Sequence, residues 1–170
     1  MSKVYHCLGC NERSCKNRFG RRDPRSGMIN NGGKKVYNHN QSVLSSEFQK
    51  LIARSLAAKE VNSCMGRVVA APTAGATGIL PRVLVTLQDI HDLEDIKILE
   101  GLLVAAGIAV IIKNKASLAG VVGECQAETG SAAAMASGAI VYCLNGPVDQ
   151  IFNAMIITIP SLCLGLYAIP

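Results

Sequence analysis

Apolar positions along this chain recur mainly at intervals of three and four residues, so the sequence predicts helices separated by short polar or glycine-rich breaks. The first sustained pattern begins at Ser45. Phe48, Leu51, Ile52 and Leu56 define the apolar face of an expected amphipathic helix over 45–62, with Ser45 or Ser46 as its cap and Glu47 in its first turn. Residues 1–41 show neither a 3.6-residue nor a two-residue period, and turn signals at Asp23-Pro24, Ser26-Gly27 and Asn31-Gly32-Gly33 mark them as an irregular arm. Residues 42–170 are then the expected helical domain.

Within that domain, Pro72-Thr73-Ala74-Gly75-Ala76-Thr77-Gly78 breaks the helical period and reads as a loop between two ordered elements. Helical spacing returns at Val83, Leu84, Leu87 and Ile90. A new helix is expected to start at Asp92, capped by its carboxylate, and to run through Ile96, Leu99, Leu102, Leu103 and Ala106 to an end near Lys113-Asn114-Lys115. From Ala119 to Ala139, thirteen of twenty-one residues are Gly, Ala or Ser, a density that lets helices approach closely and places the segment deep inside. Ile151–Pro170 is twenty residues without a charge, long enough to span a bilayer. Pro160, the dispersed Asn153, Thr158 and Ser161, and the missing basic flank favour a buried helix or a distorted chain end instead. The fold class is therefore mainly α.

Composition sharpens this picture. The 170 residues suffice for one domain with a real core, and with few aromatics and no Trp that core must rest on close backbone approach. The net charge of +5 resides in residues 1–40, which carry nine Lys or Arg against Glu12 and Asp23. This basic arm lacks the stacking and base-reading pattern of a nucleic-acid module, so no nucleic-acid partner is expected. Seven Cys without an apolar signal segment indicate a reducing cytoplasm, where thiols serve as metal ligands, nucleophiles or small core residues. Cys7-x2-Cys10, with Cys15 nearby, forms only half of a zinc site.

Two segments concentrate chemistry. In the first, the glycines of Pro72–Gly78 let backbone amides approach a ligand, and the helix that follows presents free N–H groups. Thr73 and Thr77 could add donors for a substrate carboxylate, but the same residues serve equally as a structural turn. In the second, Ser117–Ser131, Glu124 and Glu128 share a helix face and Cys125 lies between them. A buried carboxylate pair would titrate as a unit, with at least one member raised in pKa and suited to proton abstraction. Against this stands the reading that the residues alone narrowly favour, with Cys125 a core thiol and the glutamates pointing to solvent or capping neighbours.

A family resemblance separates these readings. Glu60-Val61-Asn62-Ser63-Cys64-Met65-Gly66-Arg67-Val68-Val69-Ala70-Ala71-Pro72-Thr73-Ala74-Gly75-Ala76-Thr77-Gly78-Ile79-Leu80-Pro81 resembles the V-N-x-S-M-G-x-V-V-A-A-P-T-A-G-x-x-G-I-L-P run of the iron-sulfur L-serine dehydratase alpha subunit. Gly123-Glu124-Cys125-Gln126-Ala127-Glu128-Thr129-Gly130-Ser131-Ala132 is similar to that family's G-C-Q-A-E-V-G-S-A motif. The similarity extends over roughly 26–165.

The resemblance implies conversion of L-serine to pyruvate and ammonia without pyridoxal phosphate, by a [4Fe-4S] cluster whose open iron acts as a Lewis acid. It also implies Cys125 as one cluster ligand and Pro72, Thr73, Ala74, Gly75, Thr77 and Gly78 as the substrate loop. A serine dehydratase beta subunit or domain, and a homo- or hetero-oligomer, are the implied partners. Glu124, Glu128 and His91 are the candidate bases by chemistry, with His91 expected on the surface.

Where the family continues past L-G-L with C-D-P and a later Cys, this chain reads Leu164-Gly165-Leu166-Tyr167-Ala168-Ile169-Pro170. The codons TAT GCG ATC CCC, read two bases later, contain TGC GAT CCC, that is Cys-Asp-Pro. The expectation is thus a chain truncated by a single-base deletion before its last two cluster ligands and inactive alone. Cys64, Cys143 and Cys163 match no ligand position and are expected to be core thiols. The rival classes are a small membrane protein built on Gly101–Ile112 and Ile151–Pro170, and a basic nucleic-acid-binding module.

Overall fold

The computed structural model describes residues 32–39, 43–63, 68–118 and 120–161, the side chain of Glu124 excepted. Among the described residues six α-helices and one 3-10 turn follow in order: α1 Gly32–Tyr37, α2 Ser46–Ser63, the 3-10 turn Ala74–Ala76, α3 Leu80–His91, α4 Asp95–Lys115, α5 Gly120–Cys143 and α6 Val148–Ser161. No strand occurs among them, as the helical periodicity predicted.

Helix α5 is the hub, packing against α3, α4, α6 and the 3-10 turn. Ala127, Ala132, Ala134, Ala136 and Ala139 are its buried face, joined in the core by Leu84, Ile98, Ile108 and Met135. Small residues allow this close approach. A Cβ placed on Gly138 would lie 2.3 Å from Ile108 Cδ1, and one on Gly101 would lie 2.6 Å from the buried Cys143 Sγ. Cys143 is the core thiol that was expected, and its Sγ donates to the Lys97 carbonyl at 3.6 Å.

Burial of α5 is one-sided along its length. Val121 is 100% exposed and Val122, Cys125 and Gln126 are also exposed, so the expectation that the whole small-residue segment lies inside holds from Ala127 onward and, before it, at Gly123. The first two turns are covered on one side only, at Gly123.

The cap of α2 is as expected, since the Phe48 N–H donates to Ser45 Oγ at 3.3 Å. Its apolar face is not. Ala53 and Ala58 are buried, whereas Phe48 is 51% exposed and Leu56 is exposed. Helix α1 explains the difference: a Cβ on Gly33 would meet the Ala53 carbonyl at 2.8 Å, so the two helices meet through backbone and alanine, leaving no room for larger groups. That six-residue helix lies in the stretch read as irregular from sequence.

The expected start of α4 at Asp92 is also corrected. Asp92 ends α3 as a left-handed C-cap at φ 48°, its N–H donating to the Gln88 carbonyl. Helix α4 begins at Asp95, preceded by Glu94, which makes no side-chain cap bond. Gln88 closes the corner, its Nε2 donating to the Leu93 carbonyl at 3.1 Å and to Asp95 Oδ1 at 2.8 Å. The end of α4 at Lys115 agrees with the sequence. In α6, Ile151 and Met155 turn into the core while Phe152, Ile156 and Ile157 remain exposed, so the helix is buried on one face alone. Among the described residues no helix is long and apolar enough to cross a membrane.

Candidate active site

The loop predicted between two helices is present, and its shape follows from short-range bonding. Thr73 is extended (φ −123°, ψ 167°), and its carbonyl accepts from the N–H groups of Ala71 at 3.3 Å and Ala76 at 3.2 Å. Ile79 N–H donates to Ala76 O at 3.0 Å, which completes the tight turn into α3. The Ala71, Ala76 and Ile79 amides are thereby consumed by the turn itself.

Helix α2 holds the loop from outside. Lys59 Nζ donates to the Gly75 carbonyl at 2.5 Å, and Asn62 Nδ2 to the Ala74 carbonyl at 3.1 Å. These two side chains, three residues apart on one helix face, were missed by sequence reasoning. Asn62 lies inside the first motif and Lys59 just before it, but only the tertiary contact gives either a role.

From the other side comes Glu128. A Cβ on Gly75 would fall 2.1 Å from Glu128 Oε2, and one on Gly120 would fall 2.9 Å from its Cδ and Oε1. The carboxylate therefore lies between the two glycines, in space that any side chain at either position would claim. The fold thus brings together the two segments singled out for their chemistry, although Glu128 is half-buried rather than fully buried.

Among the described residues three buried hydroxyls have no hydrogen-bond partner: Thr73 Oγ1, Thr77 Oγ1 and Ser131 Oγ. Thr77 and Ser131 are 2% and 0% exposed. Buried hydroxyls are ordinarily paired, because leaving one unmatched costs about 1–3 kcal/mol. Orphans in the loop, and another one turn along α5 from Glu128, are what a site shaped for a polar ligand leaves behind. Ser131 stood in the second motif but was given no role there.

The other expected residues fall differently. Cys125 is exposed on α5, its carbonyl accepting from Thr129 Oγ1 at 2.8 Å. The side chain of Glu124 lies outside the described residues. His91 is exposed at the far end of α3, about 17 Å along the helix axis from the loop at 1.5 Å per residue, so it does not join the site. Pro72, Ala74 and Gly78 belong to the loop, where a Cβ on Gly78 would press on the Ser55 carbonyl at 2.9 Å.

An iron-sulfur cluster finds an incomplete donor set here. Among the described residues no three His, Cys, Asp or Glu are gathered for a metal ion. Cys143 is buried and bonded to a backbone carbonyl, and burial pushes its thiol pKa up, which disfavours the thiolate a metal needs. Cys125 remains as the single accessible thiol among the described residues. Cys7, Cys10, Cys15, Cys64 and Cys163 lie outside them, as does the Leu164–Pro170 end.

Comparison with known proteins then decides the lineage. A family profile described as "Serine dehydratase alpha chain" matches residues 7–167. The chain belongs to the serine dehydratase alpha-chain family. The L-serine dehydratase alpha chain of Peptoniphilus asaccharolyticus is 40% identical over 146 residues, covering 84% of this chain and 50% of that protein. The probable L-serine dehydratase alpha chain of Bacillus subtilis strain 168 is 36% identical over 119 residues, covering 70% and 39%. The L-serine dehydratase of Streptomyces coelicolor is 40% identical over 101 residues, covering 59% and 22%. The chain thus spans half or less of the length of these relatives. No solved structure matches it. Within the family, the Pro72–Gly78 loop and the Glu124–Ser131 segment are the two motifs recognised in the sequence, and Glu128 packs one on the other.

Proposed function

We propose that this chain is the alpha part of an L-serine ammonia-lyase, an enzyme that converts L-serine to pyruvate and ammonia. The observation carrying the proposal is the Glu128 carboxylate set against Gly75, in a loop whose Thr73 and Thr77 hydroxyls are buried without partners among the described residues.

In this reading Thr73 and Thr77 donate to the substrate carboxylate, and Pro72, Ala74, Gly75 and Gly78 shape the cradle. Glu128, with Glu124 as the alternative, takes the proton from Cα. The electron pair of that C–H bond becomes the Cα=Cβ double bond as the Cβ–O bond breaks, and the departing hydroxide leaves as water once protonated. Aminoacrylate remains. It tautomerises to an imine, and water hydrolyses the imine to pyruvate and ammonia. Lys59 and Asn62 hold the loop carbonyls so that the cradle keeps its shape.

A [4Fe-4S] cluster, when bound, would supply Lewis-acid assistance to the hydroxyl leaving group, with Cys125 as one of its thiolate ligands. The remaining ligands would have to come from outside the described residues. Pyridoxal phosphate has no part in this chemistry. The relatives named as alpha chains suggest a serine dehydratase beta subunit or domain as partner, and the site of action proposed is the cytoplasm.

Anaerobic iron and sulfide reconstitution followed by a serine-to-pyruvate assay tests the reading, run on this chain and on a version extended past Pro170 with the family's C-D-P segment. Pyruvate from the extended protein supports it. Failure of a fully reconstituted extended protein to consume L-serine overturns it.

A further inference from the structure

The chemistry leaves one feature of the molecule unused, the outward side of α4. Its inward residues Ile98, Gly101, Ala105, Ile108 and Ile112 are buried against the core. On the opposite side Ile96, Leu99, Leu103, Ala106 and Val110 are all exposed, Leu103 to 73%. Their spacing alternates three and four residues, the period of a helix-pairing seam, in place of the scatter expected of incidental surface apolars. A contiguous exposed stripe of this kind marks an interaction surface.

The charges bordering the stripe say what covers it. Asp95 and Lys113 are eighteen residues apart on α4, five turns at about 3.6 residues per turn, so they lie on the same edge of the stripe at its two ends. Lys115 adds positive charge at the carboxyl end, and Glu94 adds negative charge just before the amino end. In a two-fold antiparallel pair of identical helices, each edge faces its own copy run in reverse. A two-fold axis at Val104 would then set Asp95 opposite Lys113 at both ends, with Leu103 of the two copies flanking the axis. Next to the centre, Gly107 is exposed and a Cβ placed on it meets nothing within 4 Å, which leaves space for close approach. The α6 face lacks this self-complementarity, since Phe152, Ile156 and Ile157 are accompanied by Asp149 and by no basic residue within the helix.

The geometry points to the outward face of α4 as a homodimer interface, packed antiparallel on α4 of a second copy of this chain. The proposal needs neither serine nor iron, so it stands or falls apart from the enzymatic reading.

Sedimentation equilibrium of the chain tests it, with circular dichroism to check that each variant keeps its helices. Twice the 17.9 kDa chain mass is expected. Leu103→Lys, at an exposed position, acts once in each copy and should weaken association by about 100-fold or more. Val110→Lys is the second variant should that one lose its helices, and Ile156→Lys on α6 should leave association unchanged. Asp95→Lys and Lys113→Glu, each alone, place like charges at both ends and should weaken the dimer. A 1:1 mixture of the two restores opposite charges and should form heterodimers. A monomer, a dimer indifferent to both Leu103→Lys and Val110→Lys, or a mixture that fails to recover association would overturn the proposal. The first of these would assign the stripe to a different chain.

Discussion

From Ala127 to Cys143, helix α5 is walled by α3, α4 and α6, and alanines with no accessible surface recur along it. Its first two turns instead leave Val121, Val122 and Cys125 in solvent. The same kind of sequence, rich in Gly, Ala and Ser, thus serves two ends. In the inner part small residues let helices touch, and the energy lies in packing. At the outer end they leave room for a loop and a carboxylate, and Glu128 sits at the boundary between the two. Substitutions should therefore separate cleanly into those that unfold the protein and those that silence it.

The largest separation is expected at the boundary. Glu128→Gln keeps the shape of the side chain and removes its basicity, so pyruvate formation by the reconstituted enzyme should fall by about 10²–10⁴-fold while the thermal midpoint moves little. A stability loss matching the activity loss would make Glu128 a packing residue. In the inner part the pattern inverts. Met135→Ala should cost about 2–5 kcal/mol in urea unfolding, while Val121→Ser at the exposed end should stay within about 0.5 kcal/mol.

Gly75→Ala probes the contact between the two motifs. The added Cβ would displace the Glu128 carboxylate, the far end of a flexible side chain, so the expected stability loss is under about 1 kcal/mol. Serine turnover should nevertheless drop by about tenfold or more, since small misplacements of a reacting group are costly. Gly75→Ala with unaltered turnover would remove the loop from the site.

The smallest effect concerns the two described thiols. Cys125 should react with a maleimide in the folded protein, while Cys143 should react only on unfolding. Burial raises the Cys143 pKa above 9.0, the ordinary value of a thiol, so the unfolded chain ionises first as pH rises. Its contribution to stability is present below that value and is lost as pH climbs through the folded pKa. Urea midpoints measured on either side of pH 9 would detect that loss.

Much of the fold was legible because period and punctuation agreed. The Ser45 cap, the Pro72–Gly78 loop and the end of α4 at Lys115 each followed from local chemistry. What failed depended on distant partners. Asp92 looked like a cap by type, but Gln88 and the left-handed turn move the helix start to Asp95. Phe48 and Leu56 looked like the inner face of α2, but Gly33 admits only backbone and alanine. In the site, the loop and Glu128 were visible as residue types, whereas their contact, and the Lys59 and Asn62 clamp, exist only in three dimensions.

The most direct test is a titration of the isotope-labelled chain with L-serine, followed by amide resonances. The account predicts shifts confined to Thr73–Gly78 and to the neighbourhood of Glu128 and Ser131. Resonances that stay fixed in the loop while others move, or no response to L-serine at all, would contradict it.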